Sequence, residues 1–325
     1  MKYIAVNAQQ ELVFNETDIP EIADDECLLK VKSFGVNRAD LLQRAGKYPA
    51  PAGESPILGL EVCGDIVKTG DQVNSFSIND RVFGLVAGGG YAQYVKIKAA
   101  HMMSLPDQLS YVQGAAIAEV YLTAFQSLFS IAKLKANDHI LIHGGASGVG
   151  TAAIQLAKAI GAKVTVTISN ERKAQACKAL GADNIINYQQ QDFVAWKKQH
   201  VKPGFNVILD IVGGDNVQKN IDAVALDGRI VMLAMLGGRF CDKVDVAKML
   251  FKRVNIHAST LRNRSDDYKT QLVADFTEQF AVALQGHHIN AVIDQEFDWQ
   301  QADQAHQLMA NNNNIGKYIL TIPQV

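Results

Sequence analysis

Residues 1 to about 115 alternate apolar and polar positions over short runs separated by turns: CLLKVKSFGV, GDIVKTGD, DRVFGLVAGGG and YAQYVKIKA. A two-residue period broken in this way predicts a β-rich region with few helices. From about 138 to 260 the pattern changes. Short apolar runs (HILIHGG, KVTVTIS, NVILDIVGG, GRIVMLAML, NIHAST) alternate with segments of helical period such as GTAAIQLAKAIG and NERKAQACKALG. Apolar strands and helices in alternation predict βαβ units around a parallel sheet with both faces covered. Beyond about 265, two helix-period stretches, DYKTQLVADFTEQFAVALQ and WQQADQAHQLMANN, precede a last strand, KYILTI.

A chain of 325 residues has room for two domains, each with its own core. With 20% charged residues and a formal net charge of -2, its charge balance points to neither a nucleic-acid nor a membrane partner. The N-terminal MKYIAVNAQQELVFNE lacks the apolar core of a signal peptide, and no run reads as the roughly eighteen apolar residues of a membrane span, so the expected compartment is the cytoplasm. Cys27, Cys63, Cys177 and Cys241 are far apart and form no CxxC pair, which predicts four buried free thiols and neither a zinc knuckle nor a disulfide framework.

The richest stretch chemically is ILIHGGASGVGT, residues 140–151, where an apolar strand breaks into glycines and resumes as the helix AAIQLAKAIG. Such a turn leaves backbone N–H groups free at a helix N-terminus, where the macrodipole favours an anion such as a pyrophosphate. Against the dinucleotide fingerprint G-x-G-x-x-G, Gly145 and Gly150 match the first and last glycines, Ser147 replaces the second, and Gly148 and Val149 complete the turn. NAD-binding versions carry an acidic residue about twenty positions on, at the end of the second strand. Here that place holds Thr167, Ile168, Ser169 and Asn170, followed by Glu171, Arg172 and Lys173. Without the carboxylate a 2′-phosphate meets no repulsion, and a cation in contact adds about 4 kcal/mol at an effective dielectric of 20. The balance points to NADPH. Arg172 and Lys173 as a solvated helix face, and Ser169 and Asn170 as helix caps, are the plainer alternatives.

Several stretches together resemble the medium-chain dehydrogenase/reductase superfamily over essentially the whole chain. They are GVNRAD (35–40), ILGLEVCG (57–64), GGGYAQYV (88–95), LTAF (122–125) and the HGGASGVG turn. The resemblance implies an α/β chain. A GroES-like β-rich catalytic domain would span 1–118, completed by 261–325, and a Rossmann cofactor domain with a doubly wound parallel sheet would span 119–260. In the zinc alcohol dehydrogenases of that superfamily a Cys stands at the position of Asn37 and a His at that of Leu60, and the four-Cys lobe of a structural zinc follows the position of Gly90. None of these ligands is in this sequence. The chain is instead similar to the zinc-free, zeta-crystallin-like quinone oxidoreductases, the likeness resting on NRADLLQRAGKY, its Pro/Gly loop and PILGLE.

That branch implies reduction of a quinone by NADPH with no metal site. Alcohol oxidation needs a Lewis acid to hold an alkoxide, whereas a quinone or an activated enone is already electrophilic and needs placement and a donor at its oxygen. By resemblance, Asn37 and Tyr48 line the substrate and nicotinamide pocket, with Tyr48 as donor to the carbonyl. Thr123 and the backbone of Met235, Leu236 and Gly237 would lie on the nicotinamide side. Ser169, Lys173 and Tyr188 would take the 2′-phosphate, and Asn314 would approach the phosphates. Tyr188 as a plain strand-end aromatic stays open. Glu61 is expected as a structural acceptor, His143 as a core histidine, and His287 with His288 as a solvated turn. The branch also implies a homodimer formed by sheet-edge pairing near GRIVMLAMLGG, a wholly internal strand being the open alternative for so apolar a run. An enone reductase and a non-catalytic NADPH-binding sensor are the alternative functions.

Overall fold

The computed structural model describes residues 1–323. The chain divides into two compact units, Met1–Leu122 together with the chain from Leu261 onward, and Thr123–Thr260. In the first unit β1 (Lys2–Val6) and β2 (Leu12–Glu16) form an antiparallel hairpin, which the alternation does not announce because β2 is exposed along nearly all its length. There follow β3 (Glu26–Gly35), β4 (Glu61–Thr69), β5 (Arg81–Leu85), β6 (Tyr94–Lys98) and β7 (Met102–Ser104). The second unit holds β8 (His139–Ile142), β9 (Lys163–Ile168), β10 (Asn184–Asn187), β11 (Phe205–Asp210), β12 (Val224–Met232) and β13 (Asn255–Ala258). The returning chain adds β14 (Ile293–Asp298) and β15 (Lys317–Thr321) to the first unit.

The first unit's main sheet runs β14-β15-β3-β4-β5-β7, with β6 also on β3. The ten-residue β3 is its spine. Its first half pairs with β6 and its last residues with β15, while β4 takes the other edge. Leu29, Val31, Phe34, Val62 and Tyr91 share one core with Trp299, Tyr318 and Leu320, so the C-terminal segment is part of this unit's interior.

The second unit's sheet is parallel throughout and runs β10-β9-β8-β11-β12-β13. Numbered from its own first strand, this is the order 3-2-1-4-5-6 of a doubly wound fold, with the order reversing between β8 and β11. Leu141, Ile208 and Ile230 pack with Phe193, Trp196 and Ile221 in its core. The strand containing GRIVM, β12, is internal between β11 and β13, the alternative left open for it, and the edges of this sheet are β10 and β13.

Two readings are corrected. The helical stretch Tyr111–Ile131, 21 residues, is long and apolar enough to span a membrane by length and composition, and 78% of its most apolar window is buried inside the chain, as in a core helix. Scattered polar residues such as Gln113, Glu119 and Gln126 break up its apolar run in the sequence. Of the four thiols, Cys27, Cys63 and Cys177 are buried, whereas Cys241 is partly exposed in the loop after Gly237-Gly238. Burial pushes the Cys27 thiol up to about 11 and Cys177 up to about 12, which leaves little reactive thiolate at either.

Inside the first core, the Tyr91 hydroxyl donates to Asp40 Oδ2 at 3.2 Å and lies 2.9 Å from His306 Nε2. With its one proton given to Asp40, the hydroxyl oxygen accepts from Nε2–H of a neutral imidazole. Burial, reinforced by the nearby Arg44 cation, pushes His306 down to about 3. A folded value below the unfolded one makes its contribution full above about pH 6.5 and lost as pH falls toward 3. Asp40, pushed up to about 6 by burial, acts in the opposite sense, so a difference measurement is needed. Urea unfolding at pH 7, 6 and 5 is expected to show the stability gap between the wild type and His306→Asn shrinking by up to about 1.4 kcal/mol for each unit of pH lowered. A gap independent of pH would contradict a neutral buried His306.

Candidate active site and cofactor site

In the first unit Asn37 ends β3's extension and caps the helix Arg38–Arg44, its backbone N–H donating to Asp40 Oδ2 at 2.8 Å. Its side chain points into a closed polar set. Asn37 Nδ2 donates to Glu61 Oε1 at 3.0 Å, and Asn37 Oδ1 accepts from Lys317 Nζ at 2.6 Å. Lys317 also donates to the Val36 carbonyl at 2.7 Å and forms an ion pair with Glu61 Oε1 at 2.7 Å. Glu61 Oε2 accepts the Glu119 N–H at 2.9 Å. All three ammonium protons therefore have acceptors, as a buried cation requires. Lys317 is 2% exposed and Glu61 fully buried. Glu61 is thus the structural acceptor expected of it. Nothing local in the sequence singles out Lys317, the Lys that opens KYILTI, as buried.

Tyr48 lies half-buried in the loop after that helix, with the guanidinium carbon of Arg262 5.6 Å from its ring centroid. Burial raises its phenol above the ordinary value, and the Arg262 cation pulls it back.

In the second unit the turn after β8 opens the helix Gly148–Ala159, and Ser147 is its N-cap, accepting from Gly150 N–H at 3.0 Å. Gly145 N–H is bonded to Thr167 and Ser147 N–H to Gly144, while the N–H groups of Ala146, Gly148 and Val149 take no part in the turn's bonds. They are the donors an anion would use. A Cβ on Gly150 would lie 2.4 Å from the Gly144 carbonyl oxygen, so only glycine lets the helix approach the turn this closely.

Beneath the turn runs a bonded chain of buried groups. Thr167 Oγ1 accepts from Gly144 N–H at 3.2 Å and lies 3.1 Å from His143 Nδ1. His143 Nε2 lies 2.8 Å from Asn220 Oδ1, and Asn220 Nδ2 donates to Asp210 Oδ2 at 2.9 Å. Asp210 Oδ1 accepts from Val212 and Gly213 at 2.7 and 3.1 Å. Because Asn220 gives its amide proton to Asp210, its oxygen faces His143, which places the imidazole proton on Nε2. Burial lowers His143 below the ordinary histidine range, which favours this neutral form. It is a core histidine tying together the ends of β8, β9 and β11 where the strand order reverses.

Ser169 and Tyr188 follow directly on β9 and β10, which pair with Ile168 opposite Asn187, so both lie at the same end of neighbouring strands. Ser169 is half-buried and Tyr188 exposed. Asn170 caps the helix Glu171–Ala179, its side chain accepting from Lys173 N–H at 3.0 Å. Met235, Leu236 and Gly237 run beside the turn after β11, and the N–H groups of Leu236 and Gly237 donate to the carbonyls of Ile211 and Val212. Thr123 is buried, its carbonyl accepting from Ser127 Oγ at 2.7 Å. Asn314, in the first unit, is half-buried and donates to the Gly316 carbonyl at 2.7 Å. His287 and His288 are exposed. Among the described residues no group of three or more His, Cys, Asp or Glu side chains is placed to hold a metal.

Two substitutions test these geometries. Lys317→Met is expected to cost about 3–5 kcal/mol in urea unfolding by leaving Glu61 charged and unpaired, and Lys317→Met with Glu61→Gln together to cost less than the sum of the two singles. Additive losses would mean that the pair is not coupled. Gly150→Ala is expected to cost about 1–3 kcal/mol, and a neutral result would mean that the turn yields to the added methyl.

Comparison with known proteins bears on the whole chain. Residues 23–107 match the alcohol dehydrogenase GroES-like domain, and residues 148–278 match the zinc-binding dehydrogenase family. The quinone oxidoreductase of Sus scrofa is 30% identical over 315 residues, covering 95% of this chain and 92% of that protein. The synaptic vesicle membrane protein VAT-1 homolog of Danio rerio is 27% identical over 315 residues, 93% of this chain, which spans 65% of that protein's length. Among solved structures, the Escherichia coli quinone oxidoreductase complexed with NADPH superposes with a TM-score of 0.86 at 26% identity, covering 98% of each chain. Joined to a second unit of doubly wound order, these likenesses settle the family. The chain belongs to the zinc-free quinone oxidoreductase branch of the medium-chain dehydrogenase/reductase superfamily.

Proposed function

We propose that this chain is an NADPH-dependent reductase that transfers a hydride to a quinone without zinc. The observation that carries the reading is the Asn37–Glu61–Lys317 set, a bonded amide and ion pair where the resemblance would put a metal ligand. The cofactor is NADPH, as in the Escherichia coli relative's complex. The three free N–H groups of the glycine turn suit its pyrophosphate, and the end of β9 carries no carboxylate to repel a 2′-phosphate.

When bound, NADPH supplies the hydride. The chain's own residues supply the rest. Ala146, Gly148 and Val149 hold the pyrophosphate, within the turn shaped by Gly145, Ser147 and Gly150. Ser169, Lys173 and Tyr188 take the 2′-phosphate, and Asn314 approaches the phosphates. Thr123 and the backbone of Met235, Leu236 and Gly237 orient the nicotinamide. Asn37, its amide fixed by Glu61 and Lys317, gives one wall of the substrate pocket, and Tyr48 donates its hydroxyl proton to the carbonyl oxygen of the acceptor. A homodimer paired along the β13 edge and a cytoplasmic location complete the proposal.

The test is NADPH consumption with chelator present, offering a para-quinone, an ortho-quinone, an enal and a simple ketone separately. Rapid turnover of a quinone, unchanged by chelator, is the expected result, with Tyr48→Phe slowing it about 10²-fold or more. Turnover confined to the enal would assign an enone reductase instead, and tight NADPH binding with no turnover would assign a sensor.

A further inference from the structure

Arg262 is only 5% exposed, in the segment Leu261-Arg262-Asn263-Arg264 that opens the chain's return to the first unit. Its Nε donates to the Ala87 carbonyl at 2.7 Å. Both terminal nitrogens, Nη1 and Nη2, are buried with no hydrogen-bond partner among the described residues. A guanidinium presents five N–H donors in a rigid planar fork, so four of them have no acceptor among the described residues. Leaving a charged donor desolvated and unbonded is among the costlier defects a fold carries, and it calls for an explanation by function or ligand.

The carboxylates whose fields reach the group, Asp40, Glu119 and Glu54, are not bonded to it, and burial lowers its proton affinity without discharging an arginine. The Tyr48 ring lies against the group, its centroid 5.6 Å from the guanidinium carbon. An unused cationic fork thus lies beside the phenol assigned as donor to the acceptor's oxygen.

We propose that Arg262 binds an oxygen of the acceptor and holds the negative charge that reduction places there. The inference rests on the quinone-reductase reading. A quinone that gains a hydride gains one hydrogen and an electron pair. The pair ends on a ring oxygen as the hydroquinone monoanion, and one proton, given by Tyr48 and restored from water, completes the hydroquinone while NADPH leaves as NADP⁺. The Arg262 fork stabilises the oxyanion, and its charge favours the tyrosinate left when Tyr48 gives up its proton.

The experiment compares wild type, Arg262→Met and Arg262→Lys. For 1,4-benzoquinone, kcat/KM is expected to fall about 10²–10³-fold in Arg262→Met, the loss typical of removing an oxyanion donor, and at least tenfold in Arg262→Lys, whose ammonium lacks the fork. The NADPH Kd should stay within twofold, and the melting temperature of Arg262→Met should change little, the lost Nε–Ala87 bond being offset by removal of a buried charge whose terminal nitrogens are unbonded. Unchanged kcat/KM in either variant would overturn the inference, as would an NADPH Kd weakened in step with kcat/KM, which would make Arg262 a cofactor ligand.

A second readout needs no turnover. Titrated with 4-nitrophenol, the wild type is expected to bind the phenolate and lower its ionisation by on the order of one pH unit, and Arg262→Met to leave it unshifted. Should the wild type shift 4-nitrophenol yet reduce no quinone, the quinone reading fails and the oxyanion site stands. Quinone turnover shared equally by wild type and variants sinks the Arg262 inference and leaves the quinone reading intact.

Discussion

The buried ion pair between Lys317 and Glu61 is the constraint on which the first unit's geometry turns. Two charges withdrawn from water stay in place only if their mutual attraction and their hydrogen bonds offset the lost hydration, so every donor and acceptor of the pair must be met. Here they are: the ammonium bonds Glu61, Asn37 and Val36, and the second carboxylate oxygen takes the Glu119 N–H. The last strand, β4 and the start of the first helix are thereby fixed to one another at atomic distances. Gly35 follows from the same constraint, because a Cβ there would lie 2.2 Å from Glu61 Oε1. An ion pair that cannot move holds the Asn37 amide still.

The second unit obeys the same logic with neutral groups. Thr167, His143, Asn220 and Asp210 form a bonded chain under the glycine turn, linking the strand ends where the sheet order reverses. In both units the named networks are satisfied by protein, and charged or backbone donors left without protein partners are informative. Among the described residues the unmet donors include the N–H groups of Ala146, Gly148 and Val149 in the second unit and the terminal nitrogens of Arg262 in the first. Unmet donors within well-bonded surroundings mark where a ligand's oxygens are expected.

How much of this the sequence disclosed depends on the range of the interactions involved. The doubly wound unit is legible because its strands are apolar on both faces and its turn carries glycines at fixed spacing. β2 and β7 are not, the one being exposed along its length and the other only three residues long, too short for any period. Asn37 and Tyr48 come from a motif, but the partners that give them character do not. Lys317 and Arg262 are far from them in sequence, and a lysine or arginine read locally is assigned to solvent, because burial of a cation is decided by tertiary partners that no local pattern encodes. Ser147 illustrates an intermediate case: visible as a substitution in the glycine fingerprint, it proves to be the helix N-cap, a role its residue type already favours.

The glycine turn and the end of β9 together suit a dinucleotide bearing a 2′-phosphate. The most direct measurement is the pair of dissociation constants for NADPH and NADH, taken by fluorescence titration at one ionic strength on the same preparation. NADPH is expected to bind at least tenfold tighter, a difference of about 1.4 kcal/mol, with the gap narrowing as salt screens the phosphate. Equal affinities, or tighter binding of NADH, would contradict it.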